Sequence, residues 1–111
     1  MPNPIAEGTF TTDGTDKTIY AGTTNRVTQL FVNMDNSTSA EIIVVSEKMK
    51  VLTGDSVALL KKTTLTGKDG GLPNGALIFQ TDPLSSPYGV TYTMQNTLGA
   101  NLTYKYRIDE L

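Results

Sequence analysis

The sequence predicts an all-β chain: an antiparallel β-sandwich, jelly-roll or immunoglobulin-like, of about seven or eight short strands with an extended N-terminal arm. Three observations predict it. Near the C-terminus Tyr88, Val90, Tyr92 and Met94 alternate with Gly89, Thr91, Thr93 and Gln95, and Leu102, Tyr104, Tyr106 and Ile108 alternate with Thr103, Lys105, Arg107 and Asp109. Period-two alternation marks strands with one buried and one wet face. Turn chemistry recurs along the whole chain at roughly 8–12-residue spacing. Finally, threonine is abundant while charged residues make up only 18%, a composition suited to pleated surfaces.

The elements follow in order. Residues 1–17 form the arm and its closing turn, and residues 18–111 form a single sandwich domain. Pro2 and Pro4 keep the start of the arm extended, with a short strand near residues 8–12. Asp13, Gly14 and Asp16 supply turn geometry. Residues 18–21 (TIYA) are a short strand, and residues 26–34 a long central one with Thr28, Leu30, Val32 and Met34 on one face and Val27 and Phe31 on the other. Residues 41–52 fit helical spacing at Ile42, Val45, Met49 and Leu52, but Ile42, Ile43, Val44 and Val45 form a β-branched run that loses side-chain freedom in a helix. A strand is the better reading, with a helical turn near residues 48–52 left open. Residues 56–65 form the next strand, its exposed end marked by Lys61 and Lys62, which discourage edge pairing. A loop with four glycines and a proline covers residues 66–75. A strand at 76–80 places Leu77 and Phe79 on one face, and residues 81–87 are a loop. The two closing strands hinge at 96–100, and Tyr92 and Tyr104 can pair across them.

Composition bounds the chemistry. The 111-residue length suits one domain with a radius of gyration of about 13 Å. Cysteine, histidine and tryptophan are absent, which removes disulfides, thiolate chemistry, and the commonest general base and metal ligand. A formal net charge of −2 gives no clustered basic face for nucleic acid. The longest apolar run, Ile42 to Val45, is far short of a membrane span, and the first residues lack the charged and apolar regions of a signal peptide. Without that signal, the Ile108, Asp109, Glu110 and Leu111 ending and the sequons at Asn36 and Asn101 carry no targeting or glycosylation message. Nothing in the sequence brings two of the carboxylates Asp13, Asp16, Asp35, Glu41, Glu47, Asp55, Asp69, Asp82, Asp109 and Glu110 to a cleft, so no catalytic residue is assigned. The Asp13 to Asp16 and Lys68 to Gly71 turns lack calcium-loop spacing, and residues 66–75 lack the spacing of a phosphate cradle. No metal and no cofactor are assigned. The aromatics read as core, with Tyr88 the exception beside Pro87. Lys105, Arg107 and Asp109 read as a solvated row.

An extended arm and open sheet edges are most simply satisfied by neighbouring subunits. From Lys17 onward the order of signals resembles a family of small bacteriophage virion proteins. The shared features are the T-I-Y strand at Thr18, Ile19 and Tyr20 with Gly22 after it, the N-x-[ST] loop at Asn36, Ser37 and Thr38, and the Ile/Val-rich strand from Ile42 to Val45. The G-D-S-V turn follows at Gly54, Asp55, Ser56 and Val57, then the T-Y-x-Y strand at Thr103, Tyr104, Lys105 and Tyr106. The chain departs from that pattern in its longer insertion at 66–75 and in lacking a proline turn before Asn25.

Such proteins resemble head decoration (cement) proteins or appendages of tails and head fibres. The resemblance implies a non-enzymatic subunit made in the host cytoplasm and carried on the capsid surface of the virion. Its partner would be the major capsid protein, and it would self-associate, a trimer being favoured. The interface expected on that reading comprises Pro2, Pro4, Ile5 and Phe10 of the arm and Lys68, Asp69, Leu72 and Asn74 of the large loop. The alternative is a receptor- or glycan-binding module of a tail or head fibre, with Tyr88 as its first aromatic contact.

Overall fold

The alternating segments close into two antiparallel sheets in a computed structural model, which describes residues 3–98 and 101–111. The strands in chain order are β1 (Asn3–Thr11), β2 (Lys17–Ala21), β3 (Arg26–Asn33), β4 (Ile42–Met49), β5 (Ala58–Thr66), β6 (Ile78–Gln80), β7 (Leu84–Ser86), β8 (Val90–Asn96) and β9 (Thr103–Glu110). No α-helix occurs among the described residues. Lys68–Gly71 and Pro73–Gly75 form single 3-10 turns. One sheet has the order β1-β9-β3-β6, with β7 also on β3, and the other β2-β8-β4-β5.

The pairing is nested. β4 pairs with β5, β3 with β6, β2 with β8, and β1 with β9. The chain is therefore one long hairpin, its apex between β4 and β5, rolled so that β3 meets β9 and β4 meets β8. This is the topology of a jelly roll, and it decides between the two sandwich types the sequence left open. The radius of gyration is 13.7 Å.

Each strand gives one face to the interior. Leu30, Val32 and Met34 follow β3, Ile43 and Val45 lie on β4, Tyr92 and Met94 on β8, and Tyr104 and Ile108 on β9. Buried hydroxyls need partners. Tyr92 Oη reaches across from one sheet to Thr28 Oγ1 on the other at 2.9 Å. Tyr104 Oη meets Ser37 Oγ, in the loop after β3, at 3.0 Å.

Several expectations are corrected. Residues 3–11 are not a free arm but an edge strand of the first sheet, in register with β9 from Asn3 opposite Glu110 to Thr11 opposite Thr103. The prolines permit this because Pro4 stands on the edge, beside a bulge in which Ile5 is the extra residue. Residues 42–49 are strand, as the β-branched run argues, and no helical turn follows them. A ninth strand, β7, occupies the segment read as a loop, and Leu77 is exposed while Phe79 is buried. Tyr92 and Tyr104 do not pair. They belong to opposite sheets, with Tyr20 and Glu47 beside Tyr92 and Phe10 beside Tyr104. Alternation identifies a buried face but not the strand beside it. Asp109, expected on a solvated row, is only 5% exposed. β9 lies inside its sheet between β1 and β3, so Asp109 is flanked by Pro4 and Gln29.

The roll also needs one close backbone approach. Gly89 has φ +87°, and a Cβ built there would stand 2.2 Å from the Gly22 carbonyl oxygen. Gly89→Ala is expected to cost about 3–5 kcal/mol through strain and collision. Gly54→Ala, at a position with nothing within 4 Å, should change stability by less than about 0.5 kcal/mol. Urea denaturation of the two variants measures both.

Candidate functional site

Three surface features stand out from the sandwich. The first is the apex of the long hairpin. Every residue from 51 to 62 is exposed. Val51 is 78% and Leu52 64% exposed, and Val57, Leu59 and Leu60 are also exposed. Lys50, Lys61 and Lys62 frame these aliphatic side chains.

The second is a shallow depression of about 350 Å³ on the outer face of the first sheet, lined by Glu7, Phe31, Asn33, Ile78, Lys105 and Arg107, with Tyr106 at its border. β9 and β3 run side by side here, with Arg107 opposite Phe31 and Lys105 opposite Asn33. The Arg107 guanidinium lies 4.7 Å from the Phe31 ring centroid and its Nε donates to Asp109 Oδ1 at 2.9 Å. A cation over an aromatic face, held in place by a buried carboxylate, is a pre-set surface.

The third is a groove of about 290 Å³ between the apex half of β5 and the segment leading into β7, lined by Glu47, Leu60, Lys61, Asp82, Pro83 and Leu84. Glu47 continues the inward face of Ile43 and Val45, beside Tyr92. Burial pushes its carboxyl above the usual carboxylate range. Nearby Lys61 opposes that shift and Asp82 adds to it. Alternation applied to residues 43, 45 and 47 would have found it, since an acid in phase with a β-branched run is an acid pointing inward. The helical spacing weighed for that segment hid the signal.

The residues expected to form an interface do not make one patch. Pro2 lies outside the described residues. Pro4 is exposed and Ile5 half-buried at the start of β1. Phe10 lies six residues on, about 20 Å away. Its end of β1 is the end that carries the large loop, since Tyr104, opposite Phe10, bonds Ser37, whose carbonyl accepts the Asp69 N–H at 3.2 Å. Lys68 and Asn74 are exposed, and Asp69 and Leu72 half-buried. Gly70 is buried against Met34, so this loop is packed onto the body rather than projecting as a tip. Tyr88 is half-buried and lines neither depression.

The acidic turns are engaged locally. Asp13 accepts from the Thr15 N–H at 2.8 Å and the Thr15 hydroxyl at 2.6 Å, and these bonds lower its pKa. Asp16 holds Lys48 Nζ at 2.7 Å. Among the described residues no three acidic side chains converge as a metal site would require. No family model, no curated protein and no solved structure matches the chain.

The Glu47 geometry has a signed consequence. Its pKa is raised in the folded state, so its favourable contribution is fully present below the unfolded value and is lost as pH rises through the folded one. Glu47→Gln should therefore raise the thermal midpoint near pH 7 and leave it almost unchanged below about pH 4. Melts at the two pH values check this, and an equal effect at both would contradict it.

Proposed function

We propose that the chain is a non-enzymatic virion structural protein, a capsid decoration or cement subunit that binds the phage head and stabilises the shell by bridging capsid subunits. The observation that carries this reading is the exposed aliphatic apex. Val51, Leu52, Val57, Leu59 and Leu60 are all exposed at this one end of the β4–β5 hairpin, and exposed apolar side chains gathered on a surface mark protein–protein contact. The jelly roll adds support by analogy, since viral capsid and lectin domains use it, although fold alone does not assign function. The apex replaces the N-terminal segment as the main docking element, because β1 is already committed to β9. Homo-oligomerisation, as a trimer, belongs to the same reading.

A second reading is a glycan- or receptor-binding module of a tail or head fibre. The Phe31 and Arg107 depression favours it, because an aromatic face with polar neighbours suits a sugar ring. That surface takes the place of Tyr88 in the reading.

Two measurements test the first reading. Density-banded particles from the source culture should contain the chain at regular stoichiometry by quantitative mass spectrometry. Its restriction to the unbanded fraction would rule the reading out. Leu52→Asp should abolish incorporation into particles while changing stability by less than about 0.5 kcal/mol, since the residue is largely exposed. For the second reading, Phe31→Ala should weaken adsorption to host polysaccharide at least about ten-fold, the scale of losing a base- or sugar-stacking aromatic.

A further inference from the structure

The groove beneath Lys61 carries an inference beyond the shell or glycan reading and independent of both. Glu47 is 5% exposed, yet among the described residues its carboxylate has no hydrogen bond and no cation within ion-pair distance. Its carboxylate is reached from solvent only through the groove it lines, and a largely desolvated carboxylate gains from a cation placed against it. Its natural neighbour is Lys61, directly opposite on β5. The Lys61 ammonium instead lies 3.7 Å from Asp82 Oδ2, at the outer rim. The ladder explains the room left behind. Lys61 faces Glu47 and Leu59 faces Lys48, so Leu60 is the extra residue of a β-bulge, and bulges re-aim side chains near binding sites. Leu60 thereby lines the groove with Pro83 and Leu84. The result is a short channel with aliphatic walls, a carboxylate at its floor and a second carboxylate, Asp82, at its mouth.

We propose that this groove is a binding site for a primary alkylammonium group, its carbon stem lying between Leu60, Pro83 and Leu84 and its nitrogen donating to the Glu47 carboxylate. The size suits one extended side chain or a short free amine, since about 290 Å³ lies at the small end of ligand sites. An anionic ligand would meet two carboxylates, Glu47 and Asp82, against the single ammonium of Lys61. Lys61 acts as the lid cation: it neutralises Asp82 while the site is empty and moves aside when a second ammonium enters. Two sources share the chemistry, a lysine side chain from a partner protein and a free diamine.

The test is an NMR titration of the full chain, reading backbone amides and side-chain carboxyl carbons. The probes are N-acetyl-lysine methylamide, N-acetyl-norleucine methylamide and putrescine. The lysine probe should give saturable shifts at Glu47, Leu60 and Leu84, and the norleucine probe, with a similar stem but no charge, should not. Glu47→Gln should weaken the lysine probe at least about ten-fold, the scale of one charge-assisted hydrogen bond. Its thermal midpoint should equal or exceed that of the native chain, so that the loss is not unfolding. Tighter binding of putrescine than of the capped lysine assigns the site to free diamines, and the reverse assigns it to a protein side chain. The proposal is overturned if norleucine binds as well as lysine. It is equally overturned if Glu47→Gln binds within about two-fold of the native chain, or if neither the native chain nor Lys61→Met, which lacks the competing cation, shows a saturable shift.

Discussion

Tyr92 sits where the two sheets meet, with no exposed surface, its ring between Met94 and Val90 along β8 and its hydroxyl bonded to Thr28 of the opposite sheet. The constraint it expresses governs the molecule. Each strand has one apolar face, and that face must be covered by a second sheet, because a lone antiparallel sheet of this size leaves its oily side in water. Rolling one long hairpin satisfies the constraint for eight strands with a single chain reversal at the apex. Adjacent layers then come from segments far apart in sequence, and the polar groups carried inward must find partners across the gap. Tyr92 and Tyr104 find theirs in Thr28 and Ser37. Glu47, on the same inward face, has no hydrogen bond among the described residues and faces the groove instead.

The roll also determines where the surface is left unfinished. Inner strands such as β9 and β8 have neighbours on both sides, which is how an outward residue like Asp109 becomes buried. Outer strands have one neighbour. β1 tolerates its open edge through Pro4 and a bulge, both of which interrupt further pairing. β5 tolerates its own with Lys61, Lys62 and a bulge at Leu60. The apex before β5 has no such devices, and Val51, Leu52 and Val57 stand exposed there. The exposed apex and the groove thus both adjoin one strand, β5, whose second edge has no partner among the described residues.

Absence of histidine and cysteine narrows the chemistry without naming a function. Charged groups are few, and several are tied to a neighbour: Asp16 to Lys48, Asp82 to Lys61, Asp109 to Arg107, Glu110 to Arg26. Against that background Glu47 stands apart, because it is largely buried at the edge of an open groove and its desolvation is opposed only by the more distant charge of Lys61.

Local alternation was enough to read the strands and their buried faces. Leu30, Val32, Tyr92, Tyr104 and Ile108 are inside because period two leaves them no other place once one face is covered. The β-branched run from Ile42 to Val45 was readable for the same kind of reason, a side-chain entropy cost specific to helices. What only the tertiary structure decided was adjacency: β1 on β9 rather than free, Tyr92 and Tyr104 in separate sheets, Asp109 enclosed, Glu47 beneath Lys61. Pairing between segments separated by most of the chain depends on how the hairpin rolls, and a two-residue period is identical whichever neighbour a strand acquires. The interface residues expected from prolines and glycines divided between two ends of the molecule for that reason, while the groove formed between strands whose proximity no local pattern encodes.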